Sequence, residues 1–155
     1  MQLEEGLIEI PSFPEHIGVV VRDAEKAIEY LSSTYKLSRS QIVGDYTPSN
    51  EELLAGKDFK VKVATAEMGS MKLEFLEPLN EESILAQFLR ERGEGLHHIA
   101  FSVSNLDEVI AKLKAQGVEM LVGGRVEGLR WAYMDTSGKP GGIITEFLEF
   151  SVGGD

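Results

Sequence analysis

The feature that most restricts the fold of this chain is a repeat. His16-Ile-Gly-Val-Val-Val21 is carried onto His98-Ile-Ala-Phe-Ser-Val103 by a shift of 82 residues, with isoleucine after each histidine and a small residue after that. The same shift carries Asp23 onto Asn105, both good helix N-caps, then Ile28 onto Ile110 and Leu31 onto Leu113. Near the end of each half, Glu74-Phe-Leu-Glu77 returns as Glu146-Phe-Leu-Glu149, now shifted by 72. Each half reads as strand, helix and three strands. The second is about ten residues shorter in its middle, matching the additional Ser49 to Lys57 segment of the first.

Periodicity fills in the elements. Glu15 to Val21 is a strand rich in β-branched residues, and Ala24 to Tyr35 a helix with Ala27, Ile28, Leu31 and Tyr35 on one face. Strands are expected over Gln41 to Thr47, Phe59 to Ala66 and Met71 to Glu77, with Ser49 to Gly56 a loop containing a helical turn. Asn80 is expected to cap a linking helix from Glu81 to Arg92, buried through Ile84, Leu85, Phe88 and Leu89 and ended by Gly93 and Gly95. Gly95 to Phe101 opens the second half. A helix follows from the Asn105 cap to Gln116, with Leu106, Val109, Ile110 and Leu113 inside and Gly117 as its stop. Val118 to Val122, Leu129 to Asp135 and Ile143 to Phe150 read as strands. Leu7 to Ile10 reads as a short edge strand limited by Pro11 and Pro14, and Ser151 to Asp155 as a frayed tail. The expectation is one α+β domain over 1–155, with a first βαβββ module at 15–77, a linking helix at 78–94 and a second βαβββ module at 95–150.

Alternation along the second-half strand puts His98, Ala100 and Ser102 on one face and His97, Ile99, Phe101 and Val103 on the other. The small side chains after His98 leave room beside its imidazole. The repeat returns a histidine on the first strand and a glutamate on the last, twice. If a pseudo-twofold axis relates the halves, His16, Glu74, His98 and Glu146 converge on one point. Two imidazoles and two carboxylates suit a divalent ion of intermediate hardness, such as Co, Ni, Mn or Zn, better than a calcium cage. Glu77 and Glu149 lie three positions further on and face the other way. His97 is set aside, because its repeat counterpart is Glu15 and alternation turns it from His98.

Charge and composition then exclude classes. A formal net charge of −11 speaks against general binding to nucleic acid or anionic membrane, although a few local lysines and arginines can still hold an anionic small molecule. The chain has no cysteine, so disulfides, zinc-thiolate sites, iron–sulfur clusters and thiol nucleophiles are all ruled out. No apolar run approaches the roughly 20 residues of a membrane span, and the acidic N-terminus does not read as a signal peptide. The cytoplasm is the expected location.

With these residues in hand, the chain resembles the vicinal oxygen chelate superfamily, which holds glyoxalase I, extradiol dioxygenases, methylmalonyl-CoA epimerase and antibiotic-resistance proteins. The resemblance runs from about Pro14 to Phe150 and is strongest toward the epimerase branch. It is carried by His16-Ile-Gly-Val-Val-Val, Leu73-Glu-Phe-Leu-Glu-Pro78, Gly93-Glu-Gly-Leu-His-His-Ile-Ala-Phe101 and Gly141-Gly-Ile-Ile-Thr-Glu-Phe147. It implies two paired βαβββ modules forming a cup-shaped mixed sheet around one divalent metal, with ligands at His16, Glu74, His98 and Glu146. Some members have glutamine at the Glu74 position.

Iron dioxygenases use two histidines and one carboxylate with open positions for oxygen and substrate; Glu74 would close one, which favours isomerase or lyase chemistry. For an epimerase, the resemblance implies a metal-dependent isomerase acting through an enolate on an acyl-CoA thioester, often as a homodimer. It implies two bases, one at Glu146 and one at Asp45, where the branch has the longer glutamate. Two departures stand out. The branch's His-Pro-Lys after the penultimate strand is Met134-Asp135-Thr136 here, and the Ser49 to Lys57 segment is longer. Lys57, Lys60, Arg130 and Lys139 are candidates for the phosphates of coenzyme A. The competing expectations are a glyoxalase I-type lyase with the same ligands and a metal-free binding or resistance protein of the same fold.

Overall fold

The computed structural model describes residues 6–151. Each half begins with a buried, β-branched strand followed at once by a capped helix. In the first half, β1 (His16–Val20) leads into α1 (Ala24–Thr34), where Asp23 accepts from the Lys26 amide. In the second, β6 (Gly95–Ser102) leads into α3 (Leu106–Ala115), where Asn105 accepts from the Glu108 amide. The remaining strands are β2 (Arg39–Tyr46), β3 (Leu53–Ala55), β4 (Val61–Met68), β5 (Met71–Pro78), β7 (Met120–Val126), β8 (Leu129–Met134) and β9 (Ile144–Phe150). The linking helix α2 spans Ile84–Arg92.

Among the described residues, nine strands join one mixed sheet in the order β2-β4-β5-β1-β6-β9-β8-β7-β3. β1 and β6 meet antiparallel at its centre, with β5 and β9 parallel to them on the outer sides. The sheet thus repeats about the β1–β6 seam, and only β3 stands outside the pattern. Ser49 to Gly56 is expected to be a loop; its last part instead forms β3, pairing Leu53 with Gly124 and Ala55 with Gly123. The extra segment of the first half thereby adds an edge strand to the second. Three other expectations change. Leu7 to Ile10 forms no strand: Pro11 and Pro14 follow the segment, and it lies against α3, where Lys112 Nζ donates to the Leu7 carbonyl at 3.2 Å. The linking helix starts later, at a cap formed by Ser83, whose hydroxyl oxygen accepts from the Ala86 amide, while the Asn80 side chain turns its amide to the Asp58 carbonyl. Tyr35 ends α1 in extended backbone and is exposed. Of the C-terminal tail, only Ser151 lies among the described residues.

Three apolar clusters hold the layers. Leu31, Ile28 and Ala24 of α1 cover the outer face of the first half against Phe75, Ala64 and Ala66. Leu106, Val109, Ile110 and Leu113 of α3 do the same for the second half against Ala132, Met134 and Phe147. The concave face holds the third cluster, around Leu76, Trp131, Tyr133 and Leu148, with Leu85 of α2 packed into one end. No helix among the described residues is long and apolar enough to cross a membrane. Leu106 is fully buried in the α3 layer, on the far side of the sheet from the concave face. Leu106→Ala should therefore cost about 2–5 kcal/mol in denaturant unfolding, the usual range for a truncated core leucine, while divalent-metal affinity stays at the wild-type level.

Candidate metal centre

Two rows of the ladder across the seam bring the candidate ligands together. One row runs Glu74–Gly18–His98, the other His16–Ala100–Glu146. Side chains in such rows share a face, so all four candidates project into the concave side. Each histidine has a small residue beside it in the neighbouring strand. At Gly18 this is a steric requirement: a Cβ there would lie 2.1 Å from His98 Cε1 and 2.4 Å from each ring nitrogen. Ala100, its repeat counterpart, faces His16.

The donor atoms converge. His16 Nε2 is 3.1 Å from His98 Nε2, 3.0 Å from Glu146 Oε2 and 3.6 Å from Glu74 Oε2. His98 Nε2 is 2.9 Å from Glu146 Oε2. His16, Glu74 and His98 each offer one ligand atom, all within 4.8 Å of one another, and so form a group able to hold a metal ion. His98 is fully buried, His16 and Glu146 nearly so, and Glu74 partly exposed toward the cavity.

The electrostatics are those of a cation site. Burial alone would lower the His16 pKa, but hydrogen bonds with Glu146 and Glu15 and the charges of Glu146 and Glu74 push it up to about 10. Burial would raise Glu146, yet the hydrogen bond with His16 and the close approach of His98 hold it at about 2. Burial raises Glu74, partly offset by the neighbouring His16. Two buried carboxylates beside these imidazoles are costly without positive charge near them, which a protonated His16 or a bound cation supplies. The donor set therefore fits a divalent ion of intermediate hardness.

A further layer supports the ligands. Glu15, which the sequence reading passed over, hydrogen-bonds His16 Nδ1, and Lys72 Nζ holds the same carboxylate at 2.9 Å. The alternation argument also fails at His97. Gly18 pairs with His98 but Val19 pairs with Leu96, so His97 is skipped by the ladder in a bulge. Instead of pointing away, His97 is buried beside the site, with its Nδ1 2.9 Å from His98 Nδ1. Tyr133 packs on His98 with ring centroids 4.7 Å apart. The 82-residue shift that pairs the two ligand histidines also pairs Glu15 with His97, and that was the available signal for both.

A cavity of about 390 Å³ opens from His16, Glu74 and Glu146 along a wall of Tyr46, Phe59 and Trp131. Asp45 borders it but is not brought to the ligand cluster. Its ladder partner, Lys62, reaches Glu25 and Glu77 on the helix-covered side of the sheet, and Asp45, exposed, shares that side. The inward position next to it is Gly44, whose φ of 120° belongs to a bulge at Val43. Of the phosphate candidates, Arg130 is engaged by Asp107 at 2.6 Å and Glu149 at 3.4 Å, and Lys139 donates to the Gln116 carbonyl at 3.4 Å. Lys57 and Lys60 are exposed.

Two βαβββ halves sharing one sheet, with imidazoles and carboxylates meeting at the seam, define the class: a duplicated α+β protein with one buried cluster able to hold a metal ion. A family model described as the Glyoxalase/Bleomycin resistance protein/Dioxygenase superfamily matches residues 15–133, and the chain belongs to that superfamily. An uncharacterized protein of Bacillus subtilis, YqjC, is 45% identical over 62 residues, 40% of this chain and 44% of that protein. The mitochondrial methylmalonyl-CoA epimerase of Bos taurus is 31% identical over 107 residues, 68% of this chain and 55% of the relative. The matches thus span about half the length of these curated relatives. The crystal structure of methylmalonyl-CoA epimerase from Mycobacterium tuberculosis superposes with a TM-score of 0.68, covering 94% of this chain and 92% of that one at 23% identity, and shares the fold.

Proposed function

We propose that the protein is a metal-dependent epimerase acting on an acyl-CoA thioester of the methylmalonyl type. The observation that carries this reading is the convergence of His16, His98, Glu74 and Glu146 beside an apolar cavity that His16, Glu74 and Glu146 line. The epimerases among its relatives support the choice of reaction. His16, Glu74, His98 and Glu146 would hold a divalent ion such as Co, Mn, Ni or Zn, which when bound supplies Lewis-acid polarisation of a carbonyl oxygen.

The chain's own residues do the rest. Glu146 is the proton carrier: its carboxylate lines the cavity, where it takes an α-proton from beside a thioester and leaves the substrate as its enolate. Only its Oε2 is spent on the two imidazoles, which leaves Oε1 outside those contacts. Tyr46, Phe59 and Trp131 line the cavity with apolar surface that keeps water from the enolate. Asp45 stays a candidate for the second base only at the cavity border, and Asp45→Asn is expected to slow turnover by less than about tenfold, below the contribution typical of a positioned base. A loss of about 100-fold or more would return the second-base role to it.

The test is incubation of the purified protein, loaded with Co²⁺ or Mn²⁺, with methylmalonyl-CoA in deuterated water. Deuterium should enter the α-carbon, and chelator should stop it. No metal-dependent exchange would sink the epimerase reading. A glyoxalase-type lyase with the same four ligands is the second reading, favoured by the departures from the epimerase branch at Met134-Asp135-Thr136 and at Ser49 to Lys57. Turnover of a hemithioacetal without α-proton exchange on the thioester would decide for it.

A further inference from the structure

Each ligand imidazole is gripped from behind by the residue that precedes it in the chain. Glu15 holds His16 at Nδ1, and His97 holds His98 at Nδ1, 2.9 Å away. The shift of 82 relating His16 to His98 relates Glu15 to His97 as well, so the partner behind each imidazole is duplicated along with the imidazole. We propose that His97 is a positioning residue, which orients the His98 ring and sets which of its nitrogens faces the cation. The proposal rests on the reading of His98 as a metal ligand.

The geometry of the strand argues for this role. A regular β6 would turn His97 to the helix-covered face, and the bulge opposite Val19 is what brings it alongside His98. The ring is then fixed by Phe88, 5.0 Å away and edge-on at 83°, and by Tyr133 at 5.6 Å. His97 is 3% exposed.

The chemistry explains why histidine serves here and glutamate at the counterpart position. A neutral imidazole carries one N–H, so His98 can offer the Nε2 lone pair to a cation only with its hydrogen on Nδ1, which then needs an acceptor. When no cation is bound, Nε2 of His98 faces His16 at 3.1 Å and a carboxylate oxygen at 2.9 Å, and the hydrogen is needed on that side instead. An imidazole partner matches either arrangement, because its own Nδ1 can donate or accept. A carboxylate such as Glu15 only accepts. His97 therefore lets the second-half ligand exchange tautomers as a cation enters or leaves, while Glu15 holds His16 in one.

The experiment compares His97→Ala and His97→Gln with wild type, using Co²⁺ titration by calorimetry and ¹⁵N NMR of the His98 ring in the metal-free protein. The glutamine amide can also donate or accept, so it should retain affinity close to wild type and a single His98 tautomer. The alanine variant should lose about 10- to 100-fold in Co²⁺ affinity, the usual cost of a removed partner behind a metal-bound histidine, and show mixed tautomers. Wild-type affinity and an unchanged ¹⁵N pattern in His97→Ala would overturn the proposal. So would equal losses in both variants, since that would make bulk rather than hydrogen bonding the cause. If the alanine variant does not fold, the glutamine variant decides: retained affinity supports the role and a loss refutes it. If wild type takes up no Co²⁺, the metal reading fails, while the metal-free spectra still test the His97–His98 contact.

Discussion

Gly18→Ala is expected to remove stoichiometric binding of Co²⁺ or Mn²⁺ although it replaces no ligand. The added methyl would sit 2.1 Å from His98 Cε1, well inside van der Waals contact. A flexible side chain could move aside cheaply, but this ring cannot. It is fully buried, packed on Tyr133 with centroids 4.7 Å apart, and held by His97 at one nitrogen and the ligand cluster at the other. Gly18 is not in the left-handed region, so alanine poses no backbone difficulty and the effect is purely one of space. Displacing the ring should weaken metal binding by at least about 100-fold, beyond the loss of an outer contact alone, with about 1–3 kcal/mol lost in stability from overpacking. Calorimetric titration gives the first quantity and denaturant unfolding the second, with His98→Ala as the reference for a lost ligand. A Gly18→Ala protein that binds Co²⁺ like wild type would show that His98 does not stand over this strand when loaded.

The second large effect belongs to Glu146. Glu146→Gln keeps the shape and removes the charge that both imidazoles face at 3.0 and 2.9 Å. Deuterium exchange into the thioester should fall by about 10²- to 10⁴-fold, the usual contribution of a positioned general base, and metal affinity should fall as well. Measuring exchange at saturating metal separates the two losses. Glu149→Gln is the matched control. Glu149 lies three positions on, accepts from the Leu106 amide at 3.1 Å and pairs with Arg130 on the helix-covered face, so exchange should stay unchanged. If Glu146→Gln still exchanges at saturating metal at a rate within tenfold of wild type, the proton carrier is another group.

Much of this site was legible in the residues because duplication writes each element twice. A histidine heading a β-branched strand is ambiguous alone, but His16 and His98 with the same small residue two positions on mark one place in two copies. The glutamates followed from the same comparison, as did the caps Asp23 and Asn105 and the buried faces of α1 and α3, all set by neighbours three or four residues away. Where the reading went astray, the deciding contact lay far off along the chain. Alternation placed His97 on the wrong side because a bulge depends on the strand opposite, here β1. Ser49 to Gly56 carried no strand signal of its own, yet Leu53 and Ala55 found a partner in Gly123 and Gly124 of β7. Asn80 is a good cap by type, but its side chain turns to the Asp58 carbonyl and the helix starts three residues later at Ser83.

The division between the two sources of information is therefore physical. Sequence by itself determined the repeat, most elements of each half and the candidate ligands, because helix caps, side-chain periodicity and residue chemistry are local properties. Only the tertiary structure decided how those residues are served. The ladder rows across the β1–β6 seam put a glycine under the His98 ring, a bulge turned His97 toward it, and the pairing with Lys62 left Asp45 at the cavity border. Those outcomes depend on which backbone groups of distant strands pair, and a one-residue slip in that pairing reverses every face.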